Sequence, residues 1–480
     1  MSKNYCFPQI ELLMRSISKE NISEEMLRKT AFEILKMLES FGVHATIANI
    51  TVGCRFTCYE IIPGFGVRIK EITKYENDIK MLTESMDIYI EAPIPGKGTI
   101  GINIPNKEPS IVSIREIIES REFIKSNSST TAILGKDMLG NIIISDIAKM
   151  SNLLIGGTVG SGKTMLIHSI IMGFIYKTDP SDVKMIMIDT KLVDLSVYNG
   201  IPHSLLPVVS APQRASSALK WAMTETIERY RKFVALGVRD IKSYNEKVAL
   251  YGELGSIYLW IPHIVIIIDD LADLMLSSCR DEVEESICFL TQRANPAGIY
   301  LIMATQRPST DIVTGRIKAN IRSRVAFNTF SAIDSRVILE EKGAEKLVGN
   351  GDMLFRQKES LNLVHIQGAF VSDSEILSVV DFLKAQTEGV ISCNEDSVKN
   401  ISLEKPDDNR DDYFIEAGHL IIEKGKASIG MLQRIYKISF SRAARIMNQL
   451  EEAGVVGPEE GTKPRKIQMT LQEFDNKYLE

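Results

Sequence analysis

The run Gly157-Thr158-Val159-Gly160-Ser161-Gly162-Lys163-Thr164 fits the spacing G-x-x-x-x-G-K-[ST]. Glycines at these places let the backbone close around an anion with its N–H groups pointing inward. A lysine at the seventh place neutralises β- and γ-phosphates, and a hydroxyl at the eighth can hold Mg²⁺. The eight residues therefore predict a site for ATP, with Mg²⁺ on Thr164. A second run, His263-Ile264-Val265-Ile266-Ile267-Ile268-Asp269-Asp270, is an apolar strand pattern ending in two carboxylates. Asp269 would hold the water shell of Mg²⁺, and Asp270 would orient or deprotonate an attacking water. The same pair could instead simply open the helical pattern that begins at Leu271, because a helix N-terminus favours anions. Thr305 and Gln306 end the next apolar run, where the Gln306 amide would sense the γ-phosphate. The expected catalytic set is thus Lys163, Asp269, Asp270 and Gln306.

Such residues work only if strand ends converge. The runs Asn152 to Gly156, Lys184 to Ile188, Ile264 to Ile268, Tyr300 to Ala304 and Arg324 to Thr329 are continuously apolar or β-branched, as strands buried on both faces of a parallel sheet should be. Helical patterns such as Met165 to Tyr176 and Ala215 to Leu236 lie between them. This predicts an α/β fold with its ligand at the carboxyl ends of the strands.

The chain has 480 residues, more than one core usually supports, so several domains are expected. Its net charge is −6, which excludes a histone-like polycation and makes any nucleic-acid site local. A local patch exists: Lys424 to Leu450 carries six basic residues and no acidic one. Within it, Ser441 to Ala453 reads as a helix with Ala443, Ala444, Met447, Leu450 and Ala453 near one face. Ser441, Arg442, Arg445, Asn448 and Glu452 populate the other, as a recognition helix in a major groove requires. Gly457 to Lys466, with Lys463, Arg465 and Lys466, would form a wing; a merely solvated basic face is the alternative. Six scattered cysteines suit reduced thiols, and Cys54 and Cys58 lack a second ligand pair for a metal. No apolar run reaches the roughly 18 residues of a membrane span, and Met1 to Arg15 lacks a signal-peptide core. A soluble, cytoplasmic chain with no direct membrane insertion is expected.

Two polar breaks divide the chain into three parts, read as an N-terminal segment (1–24) with an α+β unit (25–130), a phosphate-loop α/β unit (131–386), and, after an acidic linker (387–411), a small helical unit with a basic wing (412–472). The breaks are Ser126 to Thr131 (SNSSTT) and Thr387 to Asp412, the latter with eight acids and three bases. In the α+β unit a helical pattern from Ser23 to Gly42 precedes strand-like runs at Thr46 to Thr51, Phe56 to Ile62, Val67 to Ile72, Asp87 to Ala92 and Thr99 to Ile104.

The loop GGTVGSGKT, the run MIMIDTKLVDLSVYNGIPH (Met185 to His203), IVIIIDDLADLM (Ile264 to Met275), AGIYLIMATQRPS (Ala297 to Ser309) and GRIKANIRSRVAF (Gly315 to Phe327) resemble the motor of FtsK/SpoIIIE DNA translocases. PGKGTIGINIPNK (Pro95 to Lys107) resembles that family's α domain, and KASIGMLQRIYKISFSRAARIMNQLEEAGVVG (Lys426 to Gly457) its γ domain. The resemblance implies a RecA-like ATPase motor that assembles as a homohexamer around double-stranded DNA, translocates it, and serves chromosome or mobile-element segregation. It also implies a recombinase or a membrane-anchored protein as a further partner. Arg307 and Lys318 match basic positions of the family's pore-facing loops. The γ domain would read DNA through Arg442, Arg445, Asn448, Lys463, Arg465 and Lys466. This chain departs from the family in several places. The usual Asp-Glu pair is Asp269-Asp270, and a pore position that is commonly basic is Ala332. An arginine that reaches the neighbouring subunit's ATP falls on Asn295, passing that role to Arg293 or Arg324 or leaving it unfilled. Many relatives also carry N-terminal membrane helices. Two alternatives stay open: a conjugative or secretion coupling ATPase, and a DNA-binding adaptor with attenuated ATPase activity.

Overall fold

The structure, a computed structural model, describes residues 5–15, 23–85, 88–94, 96–108, 110–252, 259–358, 362–387 and 413–474, the last without 437, 439, 458–464, 472 and 473. They fall into two compact units, Met1–Asn394 and Glu395–Glu480.

The first unit contains two sheets. Helix Glu24–Ser40 starts where Ser23 Oγ accepts the Met26 N–H, and it buries Ala31, Ile34 and Leu38. That spacing puts all three on one face, against β1 (Ala45–Val52), β2 (Phe56–Pro63), β3 (Tyr89–Glu91) and β4 (Ile100–Pro105). These four strands are antiparallel in the order β1-β2-β4-β3. The expected strand at Val67 to Ile72 is instead a short helix, Ile69–Thr73. Glu71 reaches back to accept the Arg68 N–H at 3.2 Å, a local cap that outweighs a run too short to establish strand alternation.

The second sheet has nine strands: β5 (Thr131–Asp137), β6 (Ile142–Asp146), β7 (Asn152–Gly156), β8 (Val183–Ile188), β9 (His263–Ile268), β10 (Ile299–Thr305), β11 (Ser323–Phe327), β12 (Asp352–Arg356) and β13 (Leu363–Gly368). Their order is β6-β5-β13-β12-β11-β7-β10-β9-β8. From β11 to β8 every pairing is parallel, and these are the five apolar runs read as strands. From β6 to β11 every pairing is antiparallel. β5 was concealed by the SNSSTT run before it. That run is a hydrogen-bonded turn, with Ser126 Oγ and Thr131 Oγ1 2.6 Å apart and Thr131 Oγ1 donating to the Ser128 carbonyl at 2.8 Å. The N-terminal segment is tied to the same unit: Leu13 is in its core, and the Met14 N–H donates to Glu375 Oε1 at 2.8 Å.

The second unit has helices Phe414–Lys424, Ile429–Tyr436 and Phe440–Glu452 around Phe414, Ile421, Leu432, Ile446, Met447, Leu450 and Phe474. Antiparallel bridges join Ala427 to Arg465 and Val456 to Ile467. The acidic stretch 387–411 lies outside the described residues apart from Thr387. Among the described residues no helix is long and apolar enough to cross a membrane.

Candidate nucleotide and nucleic-acid sites

The sheet order places β10 between β7 and β9, so the loop after β7 and the acids after β9 emerge at the same carboxyl edge. Helix Lys163–Lys177 starts directly after the loop, with Gly162 at its cap. Its free N–H groups and macrodipole thus face the loop. Gly157, Gly160 and Gly162 have φ of 153°, 73° and 123°. A Cβ on Gly162 would lie 2.8 Å from Gly351 Cα, so this position admits only glycine. Ser161 is buried, and its Oγ donates to the Thr158 carbonyl at 2.7 Å. Val159 is exposed at the tip. Lys163 is buried and donates to the Gly157 and Thr158 carbonyls at 2.9 and 2.6 Å. Burial lowers its pKa to about 8, opposed by the charges of Asp270 and Asp269.

Across the crevice, Asp269 and Asp270 are both buried. Burial first, then the charges of Asp194, Asp189 and Asp270, pushes the Asp269 carboxyl up to about 7. Asp270 has the helix-capping role that its sequence offered. Its Oδ1 caps helix Leu271–Met275 by accepting the Ala272 N–H at 3.1 Å, and its Oδ2 accepts from Lys191 Nζ at 2.9 Å. The bond to Asp270 raises the Lys191 pKa. Thr164 Oγ1 donates to Asp194 Oδ2 at 3.4 Å. Asp194 is itself raised by burial and by Asp189. Asp189 binds the backbone N–H groups of Lys191, Leu192, Asp194 and Leu195 at 3.0 Å each. Gln306 is half-buried at the end of β10.

Asp189, Lys191 and Asp194 escaped the sequence reading, although they follow the end of β8 as Asp269 follows β9. The signal for them is an acid directly after a buried strand, without a second acid beside it. Together these groups offer N–H donors and an amine to a polyanion, and under-neutralised acids with a hydroxyl to a cation. Among the described residues no three His, Cys, Asp or Glu side chains could hold a metal by themselves. This donor set fits Mg²⁺ that completes its shell with phosphate oxygens and water.

Arg307 is exposed just after β10, and Lys318 is half-buried in helix Gly315–Asn320. Arg324 is not free to reach a neighbouring site. It is buried, donates to the Ile321, Ile338 and Lys318 carbonyls, and pairs with Glu340 at 2.9 Å. Arg293 is exposed at a helix end, and Asn295 donates to Ser151 Oγ at 3.0 Å.

In the second unit, Arg445 and Asn448 are exposed on helix Phe440–Glu452. Arg442 lies with its guanidinium carbon 5.1 Å from the Tyr413 ring centre. Lys466 is exposed, and Lys463 lies outside the described residues. Arg465 corrects the expectation of a wing cation. It is buried, pairs with Glu451 Oε2 at 2.6 Å and donates to Asn448 Oδ1 at 3.1 Å. The bridge to Ala427 points it inward, where Glu451 balances a charge that burial would otherwise penalise.

Sequence models of the FtsK alpha domain, the FtsK/SpoIIIE family and the FtsK gamma domain match residues 7–106, 113–310 and 408–470. The chain is 42% identical over 468 residues to the DNA translocase FtsK of Clostridium tetani, covering 97% of this chain and 62% of that one. It is 45% identical over 474 residues to the DNA translocase FtsK of Caldanaerobacter subterraneus subsp. tengcongensis, covering 98% and 65%. The chain therefore spans less than two thirds of the length of these relatives. Among solved structures, the conjugation coupling protein TcpA of pCW3, a monomer form with ATPγS, aligns at TM-score 0.51 and 19% identity. That alignment covers 74% of this chain and 99% of TcpA, and it shows a shared fold. With the alpha, FtsK/SpoIIIE and gamma models matched in sequence order, the chain belongs to the FtsK/SpoIIIE family.

Proposed function

We propose that this chain hydrolyses ATP to drive translocation along double-stranded DNA, as a cytoplasmic homohexamer encircling the duplex. The observation that carries this reading is the buried Lys163 amine and the loop Gly157 to Thr164 facing Asp269 and Asp270 across one crevice. The loop N–H groups would bind the phosphates, and Lys163 would leave the Gly157 and Thr158 carbonyls for the β- and γ-oxygens. Thr164 and Asp269 would hold Mg²⁺, which supplies charge neutralisation at the transferred phosphoryl group. Asp270 would orient the attacking water and Gln306 would sense the γ-phosphate. Arg307 and Lys318 would track DNA phosphates, which position without reading sequence. Arg445 and Asn448 would read base edges, with Arg442 and Lys466 on the backbone. A recombinase or membrane-anchored partner would act with the whole protein.

Lys163→Ala is expected to abolish DNA-stimulated ATP hydrolysis while leaving the melting temperature of the free chain within a few degrees. Unchanged turnover would remove the site from the account. One observation favours a second reading, an adaptor with attenuated hydrolysis: both Asp270 oxygens are engaged, one as a helix cap and one by Lys191. A wild-type chain that binds ATP and duplex DNA without turning ATP over would select that reading.

A further inference from the structure

Contacts run without a break from the N-terminal sheet to the phosphate loop through the turn Leu347 to Gly351. This turn grips the loop at two places. The Asn328 side-chain amide donates to the Leu347 carbonyl, while the Asn328 carbonyl accepts the Thr158 N–H at 2.8 Å. The Gly351 N–H donates to the Ser161 carbonyl at 2.8 Å, beside the close approach at Gly162. Gly349, Asn350 and Gly351 all have left-handed φ, of 77°, 51° and 89°. A non-glycine residue in the middle of such a run is strained and depends on its surroundings to stay there.

Those surroundings come from the N-terminal sheet. Arg55, in the turn between β1 and β2, donates through Nη1 to the Gly349 carbonyl at 3.0 Å, and to the Asn350 carbonyl and Gln367 Oε1 at 3.4 Å each. Gln367 Nε2 donates to the same Asn350 carbonyl at 2.9 Å. Below the turn, Asp352 Oδ2 accepts the Val348 N–H at 3.0 Å, and its Oδ1 pairs with His365 Nε2. Tyr89 of β3 sets its ring edge-on to the His365 ring, 5.3 Å between centres.

We propose that Arg55 is a positioning residue for nucleotide binding: its guanidinium holds the Gly349 to Gly351 turn in the shape that braces the phosphate loop, coupling the N-terminal sheet to the ATP site. The Nη1 group of a rigid, always-charged guanidinium sits among these acceptors, with its strongest bond to the Gly349 carbonyl, and holds them with more order than water or a neutral side chain would. Without it the Gly349 carbonyl turns to solvent and the Asn350 carbonyl keeps only Gln367, so Gly351 loosens from Ser161 and the loop loses its preformed curvature. Bracing of this kind supports bound nucleotide and transition state alike, so its loss raises KM and spares kcat. The coupling is reciprocal, so bound nucleotide tightens the hold of the N-terminal sheet on the turn.

The test measures ATP turnover by the full chain on duplex DNA. Arg55→Ala is expected to raise KM for ATP roughly 3- to 30-fold, with kcat within about twofold. Arg55→Lys, which keeps a charged donor, is expected to recover part of the loss. An unchanged KM in folded Arg55→Ala overturns the proposal, and so does a fall in kcat alone. If Arg55→Ala does not fold, Arg55→Met, which keeps the length of the side chain without its donors, takes its place, and an unchanged KM there overturns the proposal equally. The inference rests on the phosphate loop being an ATP site, which is checked separately by binding of a fluorescent ATP analogue. No binding by the wild-type chain defeats that reading, whereas wild-type binding with an unaltered Arg55→Ala KM defeats the coupling alone.

Discussion

Mg²⁺-nucleotide binding should release protons at pH 6.5 and take them up at pH 8.5, because the crevice holds one acid and one base displaced toward each other. Asp269 is pushed up to about 7, chiefly by burial and then by Asp194 and Asp189. At pH 6.5 it is roughly three quarters protonated in the free chain. A divalent cation beside it forces ionisation, so binding expels roughly three quarters of a proton. Lys163, lowered to about 8 by burial, is almost fully charged at pH 6.5 and contributes almost nothing there. At pH 8.5 it is only roughly a quarter charged, and phosphate oxygens draw in the remaining three quarters of a proton. The free chain carries the matching stability signature. Between 3.8, the unperturbed Asp269 value, and about 7 the folded state holds a proton that the unfolded state has lost. That contribution is fully present at low pH and disappears as pH rises through about 7, with an upper magnitude of roughly 4 kcal/mol. The assay is titration calorimetry with Mg²⁺-saturated ATPγS in buffers of contrasting ionisation enthalpy. Asp269→Asn should remove the release at pH 6.5 and preserve or increase the uptake at pH 8.5, because the Asp269 charge holds the Lys163 pKa up. Heats independent of buffer at both pH values, or uptake at pH 6.5, would refute the assigned environments of these two groups.

Three further outcomes follow from the geometry. Gly162→Ala, which must place a Cβ 2.8 Å from Gly351 Cα at a φ of 123°, is expected to weaken binding of a fluorescent ATP analogue at least about tenfold, or about 1.4 kcal/mol; wild-type affinity would show that the turn moves aside. Arg465→Met is expected to destabilise the C-terminal unit by about 2 kcal/mol, since Glu451 is left half-exposed without its partner, measured by chemical denaturation. Wild-type stability with weakened DNA binding would instead make Arg465 a DNA contact. Arg445→Ala is expected to relax the preference at one base position by about 1 to 3 kcal/mol in selection from random duplexes, and an unaltered preference would count against the recognition-helix reading.

The parallel half of the large sheet was legible because each strand is buried on both faces. Its residues then carry an uninterrupted apolar run, as Ile264 to Ile268 does. The antiparallel half was not. β12 and β13 are short and mix Asp352, Arg356, His365 and Gln367 among apolar residues, so no clean period announces them. The phosphate loop was readable since the chemistry constrains residue type at fixed spacing. Its supports were invisible, because Arg55, Gln367 and the Gly349 to Gly351 turn lie far from it in sequence and meet it only through tertiary contacts. Arg465 shows the converse. A basic residue in a basic stretch suggests a surface cation, and only the fold reveals Glu451 and Asn448 waiting for it.

ATP-driven movement on DNA is tested most directly by displacement of a third strand from the end of a linear duplex. The account predicts that the wild-type chain displaces the strand when ATP and Mg²⁺ are supplied and does nothing with ATPγS, and that Lys163→Ala is inert with either. DNA-stimulated ATP hydrolysis by the wild-type chain without any displacement of the third strand would contradict it.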